Sequence, residues 1–437
     1  MQTGLIQNAH NDLVTDAAYD FYGLRLATCG LDQRIKIWQL DERSGTWSST
    51  SDWKAHHAAV SKISWAHPEF GPVIASGSFD RTVKIWEETT SDVDQPQLNG
   101  NTSSSSSGSR WVERAVITDS KGSIRGVEFA PHDFGLKIAA ISSDNHLRIY
   151  ECLEAPSLTS WQLLEEVDVL SLPAASPASA SHTQTLVLAT PTQAHATLDG
   201  PPASLVANAL QQHQNQPSNR PGMGNREADG GWCISWCKER YWGEVIAAGC
   251  GINGVIKIIQ MTPSRRPTTL LTLDPSPKSD LSTTAGSSNT VDHDGPSPYA
   301  VTSVAWAPSC GRSYHLVATG GRDGHVRIWR LKPPVADEEQ ADGADEPRWV
   351  ASIVADLDHH KLPVGRVEWN ITGMHGANIF VQLPSGLCCR RPVTMDVSGS
   401  GKRRVATFWR PAGNISVEQA EEQQDGDADM DETNAAD

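Results

Sequence analysis

Two short signatures recur along the chain at fixed internal spacing, and they limit the fold more than any other feature of the sequence. The first is a six-residue pattern with apolar residues at positions one, four and six. It reads VTDAAY at 14–19, VSKISW at 60–65 and IRGVEF at 124–129, with a weaker copy, GWCISW, at 231–236. VTSVAW at 301–306 and VGRVEW at 364–369 complete the six copies. The second signature follows each of the first five. It is a run of small residues, a turn carrying an acid, and an alternating strand that closes on a large apolar residue. The closing residue lies six positions after the acid: Asp32 to Trp38, Asp80 to Trp86, Asp144 to Tyr150 and Asp323 to Trp329, with Asn253 to Ile259 as a degenerate version. Alternation such as Ile35 and Ile37 with Arg34 and Lys36 marks half-buried strands.

Several β-branched strands per unit, separated by Gly and Asp turns, predict an all-β propeller. The residue types follow from that geometry. Ala, Ser and Gly let neighbouring sheets approach near a narrow axis. Asp in the tight turn accepts hydrogen bonds from turn amides. The closing aromatic fills the wider space further out. Six copies predict six blades.

The units start at 14, 60, 124, 231, 301 and 364, so only the first interval has an ordinary blade length. The others are swollen by low-complexity inserts at about 92–109, 171–230, 262–298 and 333–347. These are too polar or too rich in Ser, Pro and Ala to build a core, and disordered surface loops are expected there. The propeller is expected over 1–414 and a disordered acidic tail over 415–437. That tail holds nine acidic and no basic residues from Glu418 onward, a large share of the net charge of −16. Such a balance argues against direct nucleic-acid binding, which needs a basic face. The eight cysteines form no C-x-x-C pair, and no His spacing completes a zinc site, so no metal and no cofactor are expected. No apolar run is long enough for a transmembrane segment.

With these residues in view, the chain resembles the WD-repeat family. In that family a His, a Ser or Thr, an Asp and a Trp form a buried hydrogen-bonded tetrad in each blade. The resemblance implies such tetrads at His10, Thr28, Asp32 and Trp38, and at His56, Ser76, Asp80 and Trp86. The unit around Asp323 keeps Thr319 and Trp329 but has Ser297 at the His position. A satisfied structural network, rather than a catalytic triad, is expected of these groups. No G-x-S-x-G turn accompanies Ser76. The chain is therefore not expected to be an enzyme.

Within the family, HPEFG at 67–71, FDRTVKIWEE at 79–88, APSCGRSYH at 307–315 and VGRVEWNITG at 364–373 resemble the Seh group of nucleoporins. The Seh group is homologous to the COPII coat protein Sec-thirteen. The resemblance implies an open propeller completed in trans by an α-solenoid nucleoporin of the nucleoporin-eighty-five type. It also implies other Y-complex subunits as partners, a scaffold role at the nuclear pore complex and nuclear envelope, and a second place in a vacuolar coat complex that regulates TOR nutrient signalling. A COPII coat subunit is the alternative, and a propeller hydrolase or a reader of modified peptides are more distant ones. An unclosed propeller leaves a sheet edge with unpaired backbone groups, which an added strand relieves. Val14, Ala17 and Tyr19 are expected on one side of that edge, and Val364, Val367 and Trp369 on the other.

Residues 374–404 depart from the family pattern. No Asp turn and no closing strand stand at the expected spacing, which reads as an unspliced intron or wrong exon boundaries; the alternative is real divergence, which would leave blade six incomplete and its outer strands in doubt.

Overall fold

A computed structural model describes residues 6, 9–90, 109–173, 229–252, 254–262, 265–275, 299–308, 311–334, 348–358, 363–369, 375–382, 388–398 and 406–411. They form six four-stranded antiparallel sheets, each a meander in chain order. Sheet one holds β1 (Val14–Tyr19), β2 (Arg25–Gly30), β3 (Arg34–Leu40) and β4 (Trp47–Lys54). Sheet two holds β5 (Val60–Trp65), β6 (Val73–Ser78), β7 (Val83–Thr90) and β8 (Ser109–Ile117). In sheet three are β9 (Ile124–Phe129), β10 (Lys137–Ser142), β11 (His146–Cys152) and β12 (Trp161–Asp168). β13 (Gly231–Trp236), β14 (Glu244–Gly251), β15 (Ile256–Thr262) and β16 (Arg265–Leu273) make sheet four. β17 (Val301–Trp306), β18 (His315–Gly321), β19 (Val326–Lys332) and β20 (Val350–Leu357) make sheet five. Sheet six comprises β21 (Val364–Glu368), β22 (His375–Gln382), β23 (Cys388–Ser398) and β24 (Ala406–Pro411).

The six-residue signature is thus the first strand of every sheet. The small-residue run is the second strand, and the acid-to-aromatic segment is the turn and third strand. The second strands are almost wholly buried, as Val73–Ser78 and Lys137–Ser142 show. Their small side chains serve close approach. A Cβ added to Gly77 would overlap Ile124 of the next sheet, and one added to Gly320 would overlap Val364.

Five apolar layers hold the sheets together. Ile35, Ile37, Ile63 and Ile74 join sheets one and two. Ile85, Val127 and Ile138 join two and three. Ile149, Trp236 and Ile246 join three and four. Ile258, Trp306 and Val317 join four and five, and Ile328, Val364 and Val367 join five and six. A sealed ring of six sheets needs a sixth layer. Among the described residues none joins sheet six to sheet one. The fold is an open six-bladed β-propeller.

Two expectations change. The insert placed at 262–298 begins later, because Thr262 ends β15 and residues 265–273 are the outermost strand of sheet four. Its extended backbone pairs along β15, and Leu273 is fully buried. Ser109, likewise, opens β8 rather than closing a loop. The second change concerns 374–404. β22 pairs with both β21 and β23, and β23 with β24, so the backbone completes a four-stranded sixth sheet without the Asp turn. Strand pairing needs only extended backbone in register, and β23 supplies it. The inserts at 92–108, 174–228, 276–298 and 335–347, Asn253, Ser297 and the acidic tail lie outside the described residues.

Candidate functional site

The first strands bond one another round the ring by a repeated scheme. At position two, a hydroxyl donates to the position-one carbonyl of the next sheet. Thr15 Oγ1 donates to the Val60 carbonyl (2.5 Å), Ser61 Oγ to Ile124 (2.6 Å) and Thr302 Oγ1 to Val364 (2.5 Å). At position six, a Trp indole reaches back to the position-five carbonyl of the preceding sheet. Trp65 Nε1 donates to Ala18 (2.9 Å), Trp236 to Glu128 (3.2 Å) and Trp369 to Ala305 (3.0 Å). Positions one, four and six therefore face backward round the ring, toward the previous sheet.

This polarity sorts the six expected edge residues. Val364, Val367 and Trp369 are 0, 3 and 8% exposed and pack on sheet five. They are not on the open edge, and the expectation that placed them there is corrected. The reason is the handedness of the scheme: the backward face of sheet six already has a neighbour. Sheet one has none. There the same positions carry Val14 and Tyr19, 38 and 45% exposed, with Ala17 half-buried between them. Tyr19 leans on Trp47 of its own sheet, with ring centroids 5.9 Å apart.

The structure brings both sets of tetrad residues together. His10 Nδ1 lies 3.0 Å from Asp32, its Nε2 is 2.8 Å from Thr28 Oγ1, and Trp38 Nε1 donates to that hydroxyl at 2.9 Å. His56 Nδ1 lies 3.0 Å from Asp80 and its Nε2 is 2.8 Å from Ser76 Oγ, to which Trp86 Nε1 donates at 2.9 Å. Burial pushes the His56 imidazole below its ordinary pKa against the pull of Asp80. Burial works the other way on Asp80, but bonds from His56 and Thr82 outweigh it and hold the carboxyl well below its ordinary value. Each hydroxyl is engaged by an indole donor and a ring nitrogen, and each imidazole is bonded through both nitrogens, which suits a turn-locking network.

Sheets three and five solve the same problem differently. Arg148, 1% exposed, donates from Nη2 to Asp144 (2.9 Å) and from Nη1 to Ser142 (2.8 Å). Arg327 Nη2 donates to Asp323 at 2.8 Å. An arginine on the third strand thus replaces the missing His as partner of the turn Asp.

One group of described residues, His67, Glu69 and His132, brings potential metal ligands together. The two imidazoles stack with centroids 4.0 Å apart and planes 13° from parallel. Lone pairs in two parallel planes do not converge on one ion, so the rings as placed form no metal centre. Burial raises the thiols of Cys233, Cys237 and Cys250 to about 12, which makes them poor nucleophiles.

Sequence reasoning overlooked a charged trio at the seam. Asp16, 4% exposed, accepts from Lys62 Nζ at 3.0 Å and from the Ile63 N–H at 3.1 Å, and is bonded by Arg366 Nη1 of sheet six. Burial alone would raise the Asp16 carboxyl; the two cations and the amide overcome it and hold it below its ordinary value. The signal was present at position three of the first signature, which reads Asp16, Lys62, Gly126, Cys233, Ser303 and Arg366. Charge appears there only in the sixth, first and second copies.

Repeated four-stranded sheets round an axis, with Asp turns and His–Ser/Thr–Trp networks, define a WD-repeat propeller. The pattern described as "WD domain, G-beta repeat" matches residues 3–39, 47–87 and 286–330. The chain is 30% identical to "Nucleoporin SEH1" of Saccharomyces cerevisiae, over 84% of this chain and 89% of that protein. It is 31% identical to "Nucleoporin SEH1" of Bos taurus and 30% identical to that of Homo sapiens, in each case over 83% of this chain and 78% of the relative. The chain belongs to the SEH1 nucleoporin family.

Proposed function

We propose that this chain is a non-enzymatic scaffold subunit of the nuclear pore complex. Its open seam takes a strand-bearing segment of an α-solenoid nucleoporin of the nucleoporin-eighty-five type, within the Y complex of the outer ring. One observation carries the reading. Val14 and Tyr19 are 38 and 45% exposed and Ala17 is half-buried, whereas among the described residues Val60, Ile63, Ile124, Val127, Val364 and Val367 at equivalent positions are buried against a neighbouring sheet. An added sheet would cover Val14, Ala17 and Tyr19, and because Tyr19 and Val14 are already more than half enclosed, completing the burial of each contributes about 1 kcal/mol. Its backbone would find partners along the exposed edge. Other Y-complex subunits and the vacuolar coat that regulates TOR signalling are assigned as further partners on the family resemblance alone.

Co-expression with the solenoid nucleoporin, followed by size-exclusion chromatography, tests this. Wild type is expected to co-elute, Ala17→Glu to elute alone, and Tyr241→Glu, at an exposed site on sheet four's rim, to co-elute. Co-elution of Ala17→Glu at wild-type level would move the docking site off the seam. Capture of a COPII cage subunit in place of the nucleoporin would favour the coat reading.

A further inference from the structure

Among the described residues, the two ends of the ring meet through charged side chains and not through an apolar layer. Sheet six is fixed to sheet five by the Thr302–Val364 bond, by the Val367 N–H donating to Ser303 Oγ (3.0 Å) and by the Trp369 indole. Sheet one is fixed to sheet two by Thr15, Trp65 and Ile63 in the same manner. Between sheet six and sheet one, the link among the described residues is Arg366 on Asp16, both at position three of their strands. Arg366 also lies 3.5 Å from Glu368, and Asp16 is shared with Lys62 of sheet two. Lys62, Asp16 and Arg366 therefore form a chain of alternating charge across sheets two, one and six. A long guanidinium arm is suited to this place, because it spans a gap that short apolar side chains cannot and holds a carboxylate through a planar fork.

We propose that Asp16 and Arg366 are positioning residues that clasp the ring at its inner end. They set the separation of β1 and β21, so that the seam opens outward by a fixed amount. The identity of what fills the seam rests on the reading above. The clasp itself is measured without any partner, so either can fail alone. Lys62 is the internal control. It contributes a second cation to the same carboxylate, but from a sheet already joined to sheet one by an apolar layer.

Pulsed electron-electron resonance between spin labels at Ser49→Cys on β4 and Ser352→Cys on β20 reads the seam, since sheet six moves with sheet five. The background carries Ser in place of Cys310, Cys388 and Cys389. A single narrow distance distribution is expected for the parent. R366Q should broaden and lengthen it by about one strand spacing, roughly 5 Å, while K62Q leaves it unchanged. D16N, which keeps an acceptor for the Ile63 N–H, should behave like R366Q and serves if R366Q does not fold. R366Q or D16N with the parent distribution would overturn the clasp. Equal widening in K62Q would overturn it as well, by showing that any lost charge near Asp16 loosens the whole inner ring.

Discussion

Sheets one and two have the same parts: a V-x-x-small-or-Ile-x-aromatic first strand, a His–Ser/Thr–Asp–Trp network, and a Lys on the third strand. They differ in what stands behind them. Behind sheet two lies sheet one. Val60 and Ile63 are 0 and 2% exposed, and Trp86 sits 5.6 Å from Trp53 of sheet one, which itself stacks on Trp111 at 5.5 Å. Behind sheet one lies the seam, and Val14 and Tyr19 are 38 and 45% exposed. The internal hydrogen bonds are nonetheless nearly superimposable. A blade's own network thus shapes its turns, while burial of its backward face is supplied by a neighbour. The first blade is built to the same plan and lacks that neighbour.

The sharpest way to break this comparison is to place the same charge at the same position in both sheets. Ile63→Glu strands a carboxylate in the layer between sheets one and two and should cost about 4 kcal/mol of stability. Ala17→Glu faces the seam and should cost no more than about 1 kcal/mol. Urea denaturation of both variants decides it, and similar losses would mean that the seam is closed in solution.

A smaller effect is expected in the tetrads. Trp86→Phe removes the donor to Ser76 and loosens contact with Trp53, for about 2–3 kcal/mol. Trp38→Phe removes the matching donor to Thr28, and no aromatic partner faces it among the described residues, for about 1 kcal/mol. Thermal melts of the pair sharpen the comparison, and equal shifts would assign the whole value to the hydrogen bond.

The smallest effect is on pH dependence. His56 and Asp80 both have folded pKa values depressed below their unfolded ones. A depressed group adds stability above its unfolded pKa and loses it as pH falls through its folded one. Stability should therefore decline as pH drops below about 6.5, where unfolded His takes up protons, and decline again below about 4 as Asp follows. His56→Gln should flatten the slope of Tm between pH 7 and 5; an unchanged slope would place that titration elsewhere.

The repeat was legible because each unit needs its apolar residues at fixed positions in order to pair and pack. The spacing of Asp80 to Trp86, or of Val364 to Trp369, appears directly in the chain. The strands of 375–382 and 388–398 were not legible, because pairing in register leaves no obligatory residue signature of its own. The Arg148 and Arg327 substitutes for the tetrad His were also hidden. They lie on the third strand, whereas the tetrad His precedes the first strand, and only folding brings them to Asp144 and Asp323.

By itself the sequence determined the number of sheets, the three inner strands of the first five, and the residues of the two networks, since all of these rest on contacts within one short unit. The tertiary structure decided which way each unit faces. Val14 and Val364 hold the same place in their strands, yet one is 38% exposed and the other enclosed, because the sheets pack in one rotational sense and, among the described residues, the first alone has no apolar layer behind it. That sense is a property of the assembled ring, and so is the meeting of Asp16 with Arg366, 350 residues away along the chain.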